Sequence, residues 1–273
     1  MNPNAPIAVV GMAGLFPGAS NLEDFWHNII NQISADVDVG EDRWSIDPDS
    51  MYHSGIQVDK AYSKRCCLIK DFNFDPVGIN LDQSLIASLD PLYHIVLHCG
   101  REAINGLAPS SLNRQRTGVV LAAIALPTDT AAAVTNDILG SAFEENVFDA
   151  AAPGMFKNRH KPYTRAQYLA SRVTSLPGSI LARAFELGGG TYTLDAACAS
   201  SLYAVKLACD ELNAHRADAM LAGGVSRPNC LFTQVGFSQL RALSPSGRCA
   251  PFDRKADGLV VGEGAGIDRK SVV

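Results

Sequence analysis

The stretch that decides the fold is TYTLDAACASSLYAVKLACDELNAH, residues 191–215. It begins as an apolar strand, passes through a group of small residues around Cys198, and continues as an amphipathic helix. A sharp strand-to-helix turn that exposes a nucleophile needs small neighbours, for the steric reason that gives the hydrolase elbow its glycines. The pattern predicts a strand, a tight turn and a helix, with Cys198 at the turn.

The local pattern leaves two interpretations of Cys198 open. At a helix start the sulfur lies near unpaired backbone N–H groups and the positive end of the helix dipole, which favours a negatively charged nucleophile able to hold an acyl group as a thioester. Alternatively, the small residues only let the strand and the helix pack closely. The second cysteine of the stretch, Cys209, shares an apolar stripe with Leu202, Val205 and Leu212 and is predicted to be a core thiol.

The rest of the chain alternates apolar strands with helical segments, which is typical of an α/β layered fold. Buried strands are predicted at IAVVGM, TGVVLAAIA and ADAMLAGGV, which are residues 7–12, 117–125 and 217–225. Ser20 and Glu23 predict a capping box for a helix with one apolar face. Further helices are predicted on both sides of Asp90-Pro91, within residues 129–161, on both sides of Pro177-Gly178, and in the segment that begins at Asn229. We therefore expect a mixed sheet flanked by helices in one continuous domain.

Composition excludes several classes of function. The 273 residues are 47% hydrophobic and 19% charged with a net charge of −5, so the basic surface that nucleic-acid binding needs is missing. No apolar run approaches the roughly 18 residues needed to cross a bilayer, and no basic, apolar leader opens the sequence. Seven irregularly spaced cysteines favour reduced thiols over a disulfide framework. These features predict a soluble, cytoplasmic protein without a membrane span and without a nucleic-acid partner.

The spacing of two histidines raises the question of a metal site. His94 and His98 are one helical turn apart, with Cys99 and Glu102 nearby, a spacing that could hold a metal ion. Zinc sites need three or four ligands, however, so we predict a helix here and no metal site.

Several blocks, taken together, resemble the β-ketoacyl-acyl-carrier-protein synthases, or ketosynthases, of the thiolase superfamily. The blocks are IAVVGMAGLFPGASNLEDFW, RTGVVLA, DAACASSLYAVKLACDEL, AMLAGGVS and GFSQLRALSPSGRCAPFDRKADGLVVGEGAG. FPGA and PFDRKADG are similar to the type I polyketide and polyunsaturated fatty acid enzymes and speak against a thiolase or a chalcone-like synthase. The resemblance implies the N-terminal half of a thiolase-like layered α/β fold, which would occupy residues 1–267.

The resemblance also implies roles for individual residues. Cys198 would be the nucleophile that takes an acyl chain, its own backbone N–H would be one oxyanion donor, and Phe237 would lie close to the acyl pocket. Gly223 and Gly224 would allow close strand packing. Asp253, Asp257 and Glu263 would hold the loop beneath the active site. Cys198 itself argues against the family's decarboxylating partner subunits, which lack this cysteine.

The implied partners follow from the same family. No cofactor would bind directly, because the substrates are carried on the phosphopantetheine arm of an acyl carrier protein. A homodimer would form through the strand at residues 191–197, and other synthase domains could accompany the chain.

The sequence contains no recognisable counterpart of the residues that the family uses for decarboxylation. The family uses two histidines from its second half, but none of the six histidines (His27, His53, His94, His98, His160 and His215) has a matching context. Where the family continues with an apolar strand, Ile267 is followed by Asp268, Arg269 and Lys270, so residues 268–273 are predicted to be a non-matching tail of a truncated or frame-shifted chain. Leu92 also replaces the family's usual glutamine after Asp-Pro.

Two functions therefore remain. The first is the N-terminal part of a β-ketoacyl synthase, which accepts an acyl chain for decarboxylative Claisen condensation with a malonyl-carrier thioester in fatty acid or polyketide biosynthesis. The alternative is a non-catalytic fragment or a module for dimerisation or carrier-protein binding. With half the sandwich absent, apolar surface would be exposed and the chain would aggregate or be marginally stable.

Overall fold

The computed structural model describes residues 6–44, 46–105, 112–148 and 174–272. The strands in this part of the chain are β1 (Ile7–Leu15), β2 (Val37–Asp38), β3 (Arg65–Cys67), β4 (Thr117–Ala123), β5 (Thr191–Leu194), β6 (Ala219–Ser226), β7 (Val261–Gly262) and β8 (Gly264–Val272). Its α-helices are α1 (Leu22–Ile30), α2 (Pro48–Met51), α3 (Gln83–Ser88), α4 (Pro91–Asn105), α5 (Asp129–Thr135), α6 (Ser141–Phe148), α7 (Leu176–Ala184), α8 (Ser200–Asn213) and α9 (Cys230–Gln239). The predicted α/β alternation is confirmed.

The main sheet has five strands in the order β1-β8-β6-β4-β5. The pairs β6–β4 and β4–β5 are parallel, whereas β8 is antiparallel to both β1 and β6. Helices α4 and α7 cover one face and α8 covers the other, which gives three layers with a hydrophobic core on each side of the sheet. A second, three-stranded sheet has the order β2-β3-β7 and packs against α9.

The predicted strands occur at the expected positions, but not all of them are buried as predicted. Every residue of β4 is buried, as expected for an interior parallel strand. Residues 7–12 were predicted to form a buried strand, and this was wrong, because β1 lies at the edge of the main sheet and exposes 47% of Val9 and 62% of Met12. An apolar run alone does not distinguish an edge strand from an interior one.

Helix α8 corrects a second prediction. Leu202 is 73% exposed and Cys209 is half-buried, so Cys209 is not a core thiol. The buried face instead consists of Ser200, Ala204, Ala208 and Leu212, spaced four residues apart. Small side chains face the sheet because α8 lies directly against β4 and β6.

The strand β8 continues beyond the point where the sequence resembles the family. Asp268 pairs with Met12 of β1 and Ala222 of β6, so the predicted tail extends the strand through charged residues. Arg269 is only 2% exposed, and its guanidinium donates to the carbonyl oxygens of Ile104 (2.7 Å) and Val10 (3.2 Å). Ile104 lies in the last turn of α4, where a cation is favourable because helix carbonyls are unpaired there.

The N-cap of α1 differs from the predicted capping box by one residue. Asn21 caps the helix by accepting a hydrogen bond from the backbone N–H of Asp24 (2.9 Å), and the Asp24 carboxylate accepts one from the Ser20 hydroxyl (2.8 Å). The helices on both sides of Asp90-Pro91 are confirmed as α3 and α4. The predicted first helix before Pro177 and the predicted excursion after residue 148 lie outside the described residues. Within the described residues no helix is both long and apolar enough to cross a bilayer.

The apolar face of α1 is solvent-exposed. No residue of this helix is buried, and Trp26, Ile29 and Ile30 are exposed by 62%, 50% and 60%. A contiguous apolar face of this kind promotes association in water.

We expect the chain to self-associate in solution through this face. Light scattering should show species larger than a monomer, and Trp26→Glu combined with Ile30→Glu should reduce their fraction. Val77→Glu is the matched control, because Val77 is 73% exposed and does not belong to α1. A monodisperse, cooperatively melting monomer would contradict the prediction.

Candidate functional site

The structure places Cys198 at the turn between β5 and α8. The turn is a short 3₁₀ segment, Ala197–Ala199, and the α-helix begins two residues after Cys198. Ala197 has φ = 49°, which is unusual for a residue with a side chain and costs about 1–3 kcal/mol. The Cys198 side chain is exposed. A strained turn thus presents the sulfur to the surface.

Two side chains hold this strained conformation. The Asp195 carboxylate accepts hydrogen bonds from the backbone N–H of Ala197 and from that of Ala125, both at 2.8 Å. The buried Ser200 hydroxyl accepts one from Ala196 N–H (2.7 Å) and donates one to the Ala197 carbonyl (2.6 Å). Together they bind the turn both to the segment that follows β4 and to the first residue of α8.

Cys198 opens into a cleft of about 590 Å³. Its walls come from the ends of β4, β6 and β8, from β7 and from Phe16 beyond β1. The residues that line it beside Cys198 are mostly small and include Ala122, Ser201, Gly224, Ser226, Gly264 and Gly266. Because small residues bring the backbone itself to the cleft surface, the site suits a slender, flexible chain better than a bulky ligand.

Glu263 also lines this cleft and is the centre of a buried ion-pair network. Its side chain is 3% exposed, forms an ion pair with Arg43, accepts a hydrogen bond from Ile69 N–H (2.9 Å), and lies 3.7 Å from the guanidinium of Arg227. Burial alone would lower the pKa of Arg43, but the hydrogen bond and the charge of Glu263 raise it. Arg227 in turn pairs with Asp129 at 2.9 Å. The network thereby connects the cleft wall at Glu263 to the four segments that contain Arg43, Ile69, Arg227 and Asp129.

Phe237 lies on α9, is half-buried, and does not belong to the residues that line the cleft at Cys198. Its role near an acyl pocket stays a prediction. Asp253 accepts a hydrogen bond from Lys255 N–H (2.7 Å). Asp257 accepts one from the Ser244 hydroxyl (2.5 Å), and hydrogen bonds from Ser244 and Ser246 lower the pKa of its carboxyl.

The five histidines within the described residues all lie away from the cleft. His94 stacks on Phe74 with ring centroids 4.8 Å apart, and its Nε2 lies 2.9 Å from the carbonyl oxygen of Ile86. His98 contacts the edge of Phe72, and burial lowers the pKa of its imidazole. Among the described residues no group of three or more His, Cys, Asp and Glu side chains could hold a metal ion. His160 lies outside the described residues.

The roles of four residues at the site were not predicted from the sequence: Arg43, Arg227, Asp195 and Ser200. Asp195 carries a local signal, since an aspartate directly before a tight turn commonly accepts hydrogen bonds from the backbone that follows it. Arg43 carries no such signal, because its partner Glu263 is distant in the chain.

Comparison with known proteins identifies the family. The profile described as "Beta-ketoacyl synthase, N-terminal domain" matches residues 4–267. The chain therefore belongs to the β-ketoacyl synthase family, and what it matches is the N-terminal domain. The predicted boundary between residues 267 and 268 itself stays a prediction.

Curated relatives are large polyketide synthases. A phenolphthiocerol/phthiocerol polyketide synthase of Mycobacterium bovis is 31% identical over 269 residues, which are 96% of this chain and 13% of that protein. Polyketide synthase PksL of Bacillus subtilis is 29% identical over 97% of this chain and 5% of its own length. The chain thus spans a small part of the relatives that it matches.

Solved ketosynthases have the same fold. The PfaC keto synthase-chain length factor matches with a TM-score of 0.85 and 32% identity, over 97% of this chain and 29% of that one. The ketosynthase from module 6 of the bacillaene synthase of Bacillus subtilis matches with a TM-score of 0.73 and 26% identity, over 98% of this chain and 40% of that one. The predicted thiolase-like α/β fold is confirmed.

Proposed function

We propose that Cys198 accepts an acyl chain as a thioester from the phosphopantetheine arm of an acyl carrier protein. This proposal rests on the exposed sulfur of Cys198. The sulfur lies on a strained turn that Asp195 and Ser200 hold in place, and it opens into a cleft lined by small residues. Such a cleft can admit a pantetheine-like arm, and a preorganised nucleophile loses little entropy when it reacts.

The chemistry is acyl transfer. The Cys198 thiolate attacks the thioester carbonyl, the carbonyl oxygen becomes negatively charged, and collapse of the tetrahedral intermediate releases the pantetheine thiol. Donors aimed at that oxygen lower the barrier, and the resemblance to the family assigns one of them to the Cys198 backbone N–H.

In a complete synthase this step precedes decarboxylative Claisen condensation with a malonyl-carrier thioester. Condensation also needs donors for the enolate oxygen. Since the five described histidines lie away from the cleft, we propose that the family's two catalytic histidines are contributed from outside the described residues, by the second half of the fold. The reaction belongs to fatty acid, polyunsaturated fatty acid or polyketide biosynthesis in the cytoplasm, beside other synthase domains.

We also propose a homodimer through residues 191–197. Among the described strands of the main sheet β5 pairs only with β4, so its second edge can accept another strand. Leu202 and Tyr203, which follow on α8, are 73% and 55% exposed and would contribute apolar contacts.

The alternative function is a non-catalytic module that dimerises or binds carrier protein. The lack of a described histidine at the cleft favours it, because the cleft as described lacks the donors that condensation needs. The two functions differ in one measurable property, which is acylation of Cys198.

The test is intact-protein and peptide mass spectrometry after incubation with an acyl-carrier thioester. We expect one acyl group on Cys198, none in Cys198→Ser, and an unchanged adduct in the control Cys209→Ser, where the thiol is half-buried on the same helix. Cys249 is also exposed and serves as an internal control for nonspecific transfer. No adduct, or equal labelling of Cys198 and Cys249, would refute acyl transfer and leave the non-catalytic module.

A further inference from the structure

The backbone N–H of Cys198 is the exception in the hydrogen bonding of its turn. The other backbone N–H groups of residues 196–200 are paired: that of Ala196 donates to the Ser200 hydroxyl (2.7 Å), that of Ala197 to the Asp195 carboxylate (2.8 Å), that of Ala199 to the Ala196 carbonyl (3.2 Å) and that of Ser200 to the Ala197 carbonyl. The Cys198 N–H has no hydrogen-bond partner among the described residues. Since Cys198 lines the cleft, a free donor lies beside the exposed sulfur.

Ser200 determines the direction in which this N–H points. Its hydroxyl and its own backbone N–H both donate to the carbonyl oxygen of Ala197, the hydroxyl at 2.6 Å. That carbonyl and the Cys198 N–H belong to one peptide unit, which is planar and trans, so the two groups point in nearly opposite directions. Ser200 lies on the buried face of α8 and is 6% exposed. The carbonyl is therefore turned into the protein, and the Cys198 N–H is turned away from the interior.

The orientation of this peptide unit is fixed from both sides of Ala197. Asp195 binds the N–H of Ala197 and Ser200 binds its carbonyl, which keeps the backbone at φ = 49°. A donor that is fixed in advance needs no rearrangement when negative charge develops beside it. The carbonyl oxygen of a thioester acquires such a charge when a sulfur attacks the adjacent carbon. The Cys198 N–H thus has the fixed orientation that stabilisation of this oxygen requires.

We propose that Ser200 is a positioning residue, which holds the Cys198 N–H toward the oxygen of the attacked carbonyl. Its role rests on the acyl transfer proposed for Cys198. In that step the thiolate forms a C–S bond, the π electrons of the carbonyl move to its oxygen, and the Cys198 N–H donates to this oxygen. When the intermediate collapses, the C=O bond re-forms, and the leaving thiolate departs with the electron pair of its C–S bond and takes a proton from water. The Ser200 hydroxyl touches none of the reacting atoms and acts through the peptide unit.

The test compares acylation with alkylation of the Cys198 sulfur. S-phenyl thioacetate transfers an acetyl group through an oxyanion, whereas iodoacetamide alkylates the same sulfur without forming one. The ratio of the two rate constants therefore reports stabilisation of the oxyanion and is insensitive to how exposed the sulfur is. Peptide mass spectrometry of the full chain gives both rates.

We expect the ratio at Cys198 to be at least ~10-fold higher in the folded chain than in urea. Ser200→Ala should lower it about 10-fold, because complete removal of an oxyanion donor costs about 10²–10³ in rate and this variant only releases the donor from its fixed direction. Ser88→Ala is the matched control. The Ser88 hydroxyl also donates to the carbonyl three residues earlier, that of Leu85 (2.8 Å), but Ser88 lies in α3 and does not line the cleft. Its ratio should equal that of the unmutated chain.

Two results would overturn the proposal. Equal ratios for Cys198 in the folded chain and in urea would show that no fixed donor acts on the oxyanion, and this comparison needs no variant. Equal losses of acylation and alkylation in Ser200→Ala would show that the hydroxyl supports the turn as a whole and not the direction of the N–H. A raised ratio that Ser200→Ala lowers, together with no adduct from an acyl-carrier thioester, would refute the proposed function and still support the role of Ser200.

Discussion

Replacing Glu263 with glutamine is expected to lower the free energy of unfolding by about 3–5 kcal/mol. The carboxylate is 3% exposed, and its neighbours Arg43 and Arg227 are 12% and 13% exposed. Removing only the negative charge leaves two guanidinium groups near one another with little water to solvate them. The measurement is urea unfolding monitored by tryptophan fluorescence.

Glu211→Gln is the matched control for Glu263→Gln. Glu211 accepts two hydrogen bonds from Arg216, at 2.8 and 2.9 Å, but Arg216 is well exposed and solvent screens this pair. We expect a much smaller change from this variant. Equal losses for the two variants would show that burial of the Glu263 network adds nothing to stability.

Gly223→Ala should be the second strongly destabilising substitution, at about 3 kcal/mol or more, near the upper end for overpacked interiors. A Cβ at this position would lie 2.0 Å from the carbonyl oxygen of Gly266 and 2.8 Å from the Cα of Ile267, both backbone atoms of β8. Neither atom can move easily, because β6 is the central strand and β8 is paired on both sides. Thermal or urea unfolding measures the effect.

The neighbouring Gly224→Ala provides the comparison. Its Cβ would meet the Ser201 Cβ at 3.3 Å and the Ala122 Cβ at 3.4 Å, which are tight but adjustable side-chain contacts. Replacing glycine also restricts the unfolded chain, which favours folding by about 0.4–1 kcal/mol. We expect Gly224→Ala to be close to neutral in stability, and a loss as large as that of Gly223→Ala would contradict the steric explanation.

The turn at Cys198 was predictable because its determinants are local. An apolar strand, a run of small residues and an amphipathic helix occur within one stretch, and the structure contains each in that order. Which face of α8 is buried was not predictable from hydrophobic periodicity, since the close approach to the sheet selects Ala204 and Ala208 over the larger Leu202.

The path of β8 and the Glu263 network depend on contacts between distant parts of the chain. Residues 268–273 were predicted to be a non-matching tail, yet β8 continues through them to Val272, and Arg269 is accommodated by carbonyl oxygens of α4 and β1. Likewise, no local pattern links Arg43 to Glu263. The sequence was therefore sufficient to predict the strands, the helices and the candidate nucleophile Cys198. The buried ion pairs and the partners of Arg269 could be found only from the three-dimensional structure.

The position of β8 between β1 and β6 has a consequence for folding during synthesis. Among the described strands β1 pairs with β8 alone, so β1 receives its hydrogen-bonding partner only after Gly264–Val272 has left the ribosome. Contacts between such distant segments form slowly, and an unpaired apolar strand can associate with other chains in the meantime. The nascent chain therefore has to protect β1 while all the strands and helices between it and β8 are being translated.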